Sequence, residues 1–114
     1  MVELEQLTAE ARRLSDLIDR GVSALRKAAL DYAEAEHTYR LAKASAYLNV
    51  EGTVAEREAQ VYESVGDLRR ARDIADGERQ AALEAVRSRR TQLSALQSIL
   101  AAHRSEVDHA RTGP

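Results

Sequence analysis

Between Leu4 and Ala46 the apolar and small residues recur at alternating steps of three and four: Leu4, Leu7, Ala11, Leu14, Ile18, Gly21, Leu25, Ala28, Tyr32, Ala35, Tyr39, Ala42 and Ala46. A repeat of 3.5 residues sustained over this distance predicts a helix that packs along its whole length. One column of the seam holds Leu4, Ala11, Ile18, Leu25, Tyr32, Tyr39 and Ala46. The other turns small after Leu14, with Gly21, Ala28, Ala35 and Ala42, and predicts close approach of an antiparallel neighbour. Gly21 disfavours a helix by about 1 kcal/mol relative to Ala. Packing in the small column is one reason for it, and a kink is the other.

A second periodic stretch follows, with Val61, Val65, Leu68, Ala75, Ala82, Val86, Leu93, Leu96, Leu100, His103 and Val107 in its seam. Between the two lies Asn49-Val50-Glu51-Gly52-Thr53-Val54-Ala55-Glu56. Gly52 is placed to end the first helix with a left-handed residue. Thr53 with Glu56 three residues on has the spacing of a capping box, which starts the second. Stop followed by start predicts a reversal. The expected architecture is therefore all-α: a long antiparallel, coiled-coil-like hairpin forming one domain over 1–114. Its helices cover about 2–49 and 54–109, with a turn at 50–53 and a frayed tail at 110–114. At 1.5 Å per residue the arms span roughly 70 and 85 Å. Gly66 and Gly77 interrupt the second seam, and the pattern favours continuity there, with or without a kink.

Reversal near residue 51 pairs positions whose numbers sum to about 103. Leu4 to Leu25 then face roughly residues 78 to 99, where Leu93, Leu96 and Ile99 lie, so the strongest apolar stripes of the two arms meet at the end away from the turn. Leu17, Val22, Leu30, Leu41, Ile74 and Ile99 fall outside these seams. They either widen the intramolecular contact or close against a second copy of the chain, and self-association, a dimer first, is the favoured expectation.

Composition agrees with a helical rod. The chain of 114 residues has 21 Ala, no Phe, Trp or Cys, and its one Pro is Pro114. A core of alanines buries little area per residue, so stability has to come from many thin contacts or from a partner. A net charge of -2 gives no global attraction to nucleic acid or anionic lipid. Absence of cysteine removes disulfides, zinc thiolates and thiol chemistry, and fits a reducing cytoplasm. No stretch is apolar enough for a membrane span, and the N-terminus lacks a basic-then-apolar signal.

Candidate chemistry is sparse. Glu34 with His37 and Glu106 with His109 share the Glu-x-x-His spacing of di-iron bundles, yet the register holds the two pairs apart. No metal or other cofactor and no small-molecule substrate is expected. His103 reads as a half-buried packing residue. Tyr32, Tyr39, Tyr47 and Tyr62 all lie in the turn-proximal half, as a packing cluster or as an exposed recognition patch. Arg87, Arg89, Arg90 and Arg104 lie in a stretch with no acid between Ala85 and Ser105. They are candidates for contact with a protein partner or with phosphate. Without aromatic residues there base stacking is unavailable, and Asp16 and Asp19 are expected opposite, where they would pair with the arginines. No phosphate loop, nucleophile elbow or catalytic pair is present, so a non-enzymatic protein is expected.

The run from Tyr39 to Ala59, above all Glu51-Gly52-Thr53-Val54-Ala55-Glu56-Arg57-Glu58, resembles a family of short helical proteins encoded by bacteriophages, especially those of actinobacteria. The run from Val86 to Glu106 is similar to the same family. The resemblance implies work in the bacterial cytoplasm, as an accessory to phage DNA recombination or replication or as a binder of a host protein. It assigns no functional residue. Direct nucleic-acid binding and a structural or assembly part in the virion are the alternatives. Small secreted hairpins of the WXG type share the length and central glycine, but this chain lacks their tryptophan and the tyrosine-then-acid export signal of the tail.

Overall fold

A computed structural model describes residues 3–112. The fold is an all-α helical hairpin: α1 covers Leu4–Leu48, α2 Val54–Ser64 and α3 Gly66–Arg111. Residue 2 and the end of the expected tail lie outside the described residues, and α3 continues two residues past the expected boundary. Within the described residues the chain forms two compact units. One combines α1 up to Ser23 with α3 from Leu83 onward, and the other is Ala24–Ala82.

The turn works differently from the sequence expectation. Gly52 does have a positive φ, +119°, but it lies four residues beyond the end of α1. The exposed carbonyls at that end are met by Asn49 instead. Its amide N–H donates to Ala46 O at 3.1 Å and its Nδ2 to Ser45 O at 2.9 Å. Gly52 serves the start of α2: a Cβ built there would stand 2.4 Å from Glu56 Oε2. The capping box needs that space. Thr53 Oγ1 accepts from the Glu56 amide at 3.2 Å, and Glu56 Oε2 accepts from the Thr53 amide at 3.3 Å. Gln60 Nε2 donates to Glu51 O at 3.3 Å and ties the turn to α2.

The second arm is not one continuous helix. It is interrupted at Val65, whose φ and ψ are -107° and 13°. Ser64 Oγ donates to the Val61 carbonyl at 3.1 Å, and Gly66 follows with poor helix propensity. A serine and a glycine flanking one residue are a recognised cause of a helix kink. The break is mild. Val65 N–H still reaches Val61 O at 3.1 Å, and Arg69 N–H reaches Val65 O at 2.9 Å. Gly77 causes no interruption, since α3 runs through it.

The core differs between the two units. In the Ala24–Ala82 unit Tyr39, Val61 and Val65 are buried together, with Ala42, Ala46, Tyr47, Val50 and Leu68 packed around them. Ala28 and Ala35 are half-buried in the same unit, as is Leu25. In the other unit Leu14, Val86, Leu96 and Leu100 are buried, and Ile18 and Leu93 are half-buried. Gly21 is buried there, inside unbroken α1. A methyl group at its position would lie 3.0 Å from Val86 Cγ2 and 3.5 Å from Arg89 Nη1. Close packing gives this glycine its reason, and α1 runs through it without interruption.

Pairing across the arms is offset from the expected register. Gly21 is expected opposite residue 82 and instead meets Val86. Glu36 is expected opposite residue 67 and instead reaches Arg72 at 3.6 Å. The offset at Gly21, of four residues, is close to one helical turn, and the long side chain of Arg72 spans the fifth residue to Glu36. A slip of one turn returns nearly the same face to the partner, because the helix repeats every 3.6 residues. The seam columns therefore survive while the individual partners change. Near the turn, where Val61 and Val65 surround Tyr39, the pairing stays at the expected level.

Candidate interaction surfaces

The arginines singled out in the sequence do not act as a group. Arg89 is half-buried beside Gly21, where the missing side chain leaves room for a guanidinium. It contributes to the packing between the arms. Arg87 is exposed, and its Nη1 pairs with Glu84 Oε1 at 3.1 Å on its own helix. The expected pairing of Arg87 with Asp16 is absent, a consequence of the one-turn offset. Arg90 and Arg104 are both exposed. Arg104 lines an open cleft near the ends of α1 and α3 together with Arg12. His103 is half-buried.

In the Ala24–Ala82 unit two arginines that the apolar pattern passed over lie in the interface. Arg72 and Arg79 continue the heptad column of Val65 and Val86, and they face Tyr39 and Tyr32. The Arg72 guanidinium carbon stands 4.4 Å from the Tyr39 ring centre, and that of Arg79 5.0 Å from the Tyr32 ring centre. The steps match: seven residues forward on α1 go with seven back on α3, so the antiparallel heptads repeat the same cation–π contact. Each guanidinium also has an aspartate on its own helix. Arg72 Nε and Nη2 donate to Asp73 Oδ1 at 3.0 and 2.9 Å. Arg79 Nε and Nη2 donate to Asp76 Oδ1 at 3.2 and 2.6 Å. The hydrogen bond to Asp73 is the main reason the Arg72 guanidinium is held above its usual range, with Asp73 and Glu36 adding Coulombic support against the cost of burial.

Glu36 completes this polar insertion. Its Oε1 accepts from Arg40 Nε at 2.6 Å, while its buried Oε2 has only the Arg72 ion pair and no hydrogen bond among the described residues. An apolar seam can slide by a turn with little loss; a charged group with a single matching partner cannot. A double-mutant cycle on Tyr39→Leu and Arg72→Met is expected to give a coupling of about 0.5–2 kcal/mol in urea unfolding. A coupling indistinguishable from zero would mean that the stacked pair is mere proximity.

Tyr62 is handled differently. Its ring is exposed, with the Arg69 guanidinium carbon 3.6 Å from its centre, and Arg69 Nη1 donates to the Tyr62 carbonyl at 3.2 Å. Because Tyr62 is in α2 and Arg69 in α3, this contact bridges the Val65 interruption. The four tyrosines thus split between the two readings of the sequence. Tyr39 is packing core, Tyr32 and Tyr47 are half-buried, and Tyr62 is on the surface.

The same unit exposes large apolar side chains. Leu30, Leu41 and Leu48 on α1 are 64%, 59% and 86% exposed. Spacings of eleven and seven residues place all three within about 20° of one another around the helix axis. His37, also exposed, falls on this face one turn before Leu41. Val54 of α2 and Ile74 of α3 are exposed as well. Glu106 and His109 are exposed near the end of α3. Among the described residues no group of three or more His, Cys, Asp or Glu side chains gathers to hold a metal ion, and no helix is long and apolar enough to cross a membrane. No protein-family model, curated protein or solved structure matches the chain.

Proposed function

We propose that this protein is a non-enzymatic helical interaction module that pairs with a second copy of itself through the Leu30, Leu41 and Leu48 face of α1. The observation that carries this reading is the alignment of three strongly exposed leucines on one helix face. Scattered exposed apolar residues need no explanation, but an aligned stripe marks a surface that associates. A second copy fits it because the stripe is self-complementary. Laid antiparallel about residue 39, it sets Leu30 against Leu48 of the second copy at both ends, with Leu41 and His37 meeting between. A net charge of -2 per chain adds little repulsion.

The phage origin and the setting in the bacterial cytoplasm rest on the resemblance carried by residues 39–59 and 86–106. On that reading the dimer serves as an accessory to phage DNA recombination or replication, or binds a host protein. The nucleic-acid alternative is weakened by the half-burial of Arg89 and the pairing of Arg87 with Glu84.

Light scattering on the purified chain at high micromolar concentration is expected to give twice the 12.6 kDa chain mass. Leu41→Glu is expected to return the chain mass with helicity retained, because a charge is placed in a desolvated apolar contact. Wild-type protein that stays at the chain mass would end the dimer proposal.

A further inference from the structure

The unit formed by α1 up to Ser23 and α3 from Leu83 contains an open cleft of about 380 Å³. Buried Leu100 and half-buried Ala11 and Leu93 form its floor, with Ala101 beside them, and the exposed Arg12 and Arg104 stand at its rim. The α3 positions that line it, from Leu93 to Arg104, recur with helical spacing over eleven residues, about 16 Å. On α1 the lining extends over only one turn, Thr8 to Arg12. The lining thus runs about 16 Å along α3 and meets α1 at Thr8, Ala11 and Arg12, and the cleft between them is open to solvent.

Charge says what kind of occupant fits. Among the described residues neither Arg12 nor Arg104 forms a salt bridge, although Asp16 and Asp108 each stand four residues away on the same helix. Among the described residues no acid lines the cleft, and the sequence has none from Val86 to Arg104. The surface offers an apolar floor between two uncompensated cations. A proline-rich segment would need aromatic walls and a nucleic acid would need stacking groups, and among the described residues no aromatic side chain lines the cleft, whose uncharged polar members are Thr8 and Gln97.

We infer that this cleft binds an acidic amphipathic helix of a partner protein. Leucine-type side chains at i, i+3 or i+4, and i+7 fill the floor, and Glu or Asp residues flanking them meet Arg12 and Arg104. The site is separate from the leucine stripe proposed to join two copies, so either can fail without the other.

The test uses the full chain and two fluorescein-labelled helical peptides of about 14 residues. They share leucines at i, i+4 and i+7 and differ only in flanking Glu or Lys. In fluorescence anisotropy the Glu peptide is expected to bind at least about tenfold tighter than the Lys peptide, with the difference shrinking as salt rises. The double variant Arg12→Glu/Arg104→Glu, whose substitutions are on exposed positions and whose fold is checked by circular dichroism, is expected to reverse the preference. The Leu41→Glu background is expected to leave both results unchanged. Equal affinity for the two peptides, no binding of the Glu peptide, or a preference that survives the double charge reversal each overturns the assignment. So does a change in the mass of the peptide-free protein caused by the double variant, which would assign the cleft to a second copy.

Discussion

Leu14→Ala is expected to lower the stability of the protein by about 2–5 kcal/mol, read as a fall in the urea midpoint followed by far-UV circular dichroism. Leu14 is 3% exposed, the most deeply buried leucine among the core residues of this unit. Truncating it removes its transfer free energy and leaves a cavity that neighbours held on two packed helices close only in part. Net stabilities of domains are about 5–15 kcal/mol, so a loss of this size is a large share of the total. Ile99→Ala is the control. Ile99 is on α3 in the same unit but is 52% exposed, and its truncation is expected to stay within about 0.5 kcal/mol. If the two substitutions cost the same, the seam is not where this unit holds its stability.

Gly52→Ala is expected to destabilise by about 1–3 kcal/mol through two separable effects. A φ of +119° is outside what side-chain-bearing residues adopt at low cost, and the added Cβ collides with Glu56 Oε2. Moving the carboxylate away opens the capping box, which itself contributes about 1 kcal/mol. The Glu56→Ala background divides the terms. There the collision and the box are both gone, and whatever Gly52→Ala still costs is backbone strain. Thermal unfolding of the four proteins measures it. Should Gly52→Ala be neutral in the Glu56→Ala background, the positive φ at this turn would carry no energetic weight.

Much of the architecture was legible before any coordinates, and the reason is local. The 3.5-residue seam of α1, the reversal around residues 49–53 and the pairing of Thr53 with Glu56 each depend on residues within a few positions of one another. The small column also announced its purpose, since Gly21 is where Val86 and Arg89 approach. What misled was a simple equation of apolar with inside. Arg72 and Arg79 stand in step with Val65 and Val86, but a search for hydrophobic residues discards them. The signal that could have found them is the heptad match to Tyr39 and Tyr32, because long arginine stems pack and their planar heads stack on rings. Arg89 likewise lies beside Gly21, which is the clue to the room its guanidinium occupies.

The spacing of residues along the chain was enough to predict two helical arms, the position of the reversal, the capped start of α2 and most of the inward face of each arm, because these follow from interactions of short range and from the period of the helix. Folding added the interruption at Val65 and settled which residues meet across the arms. A slip of one turn preserves every face, so the apolar pattern is nearly blind to it, and the offset from Gly21 opposite 82 to Gly21 beside Val86 had to be observed. That offset separates Arg87 from Asp16 and brings Glu36 to Arg72. Burial, likewise, depends on where the partner helix stops covering a face: the pattern placed Leu30 and Leu41 outside the seam, but the exposure of Leu48 in line with them and the open cleft lined by Arg12 and Arg104 emerge only once the chain is folded.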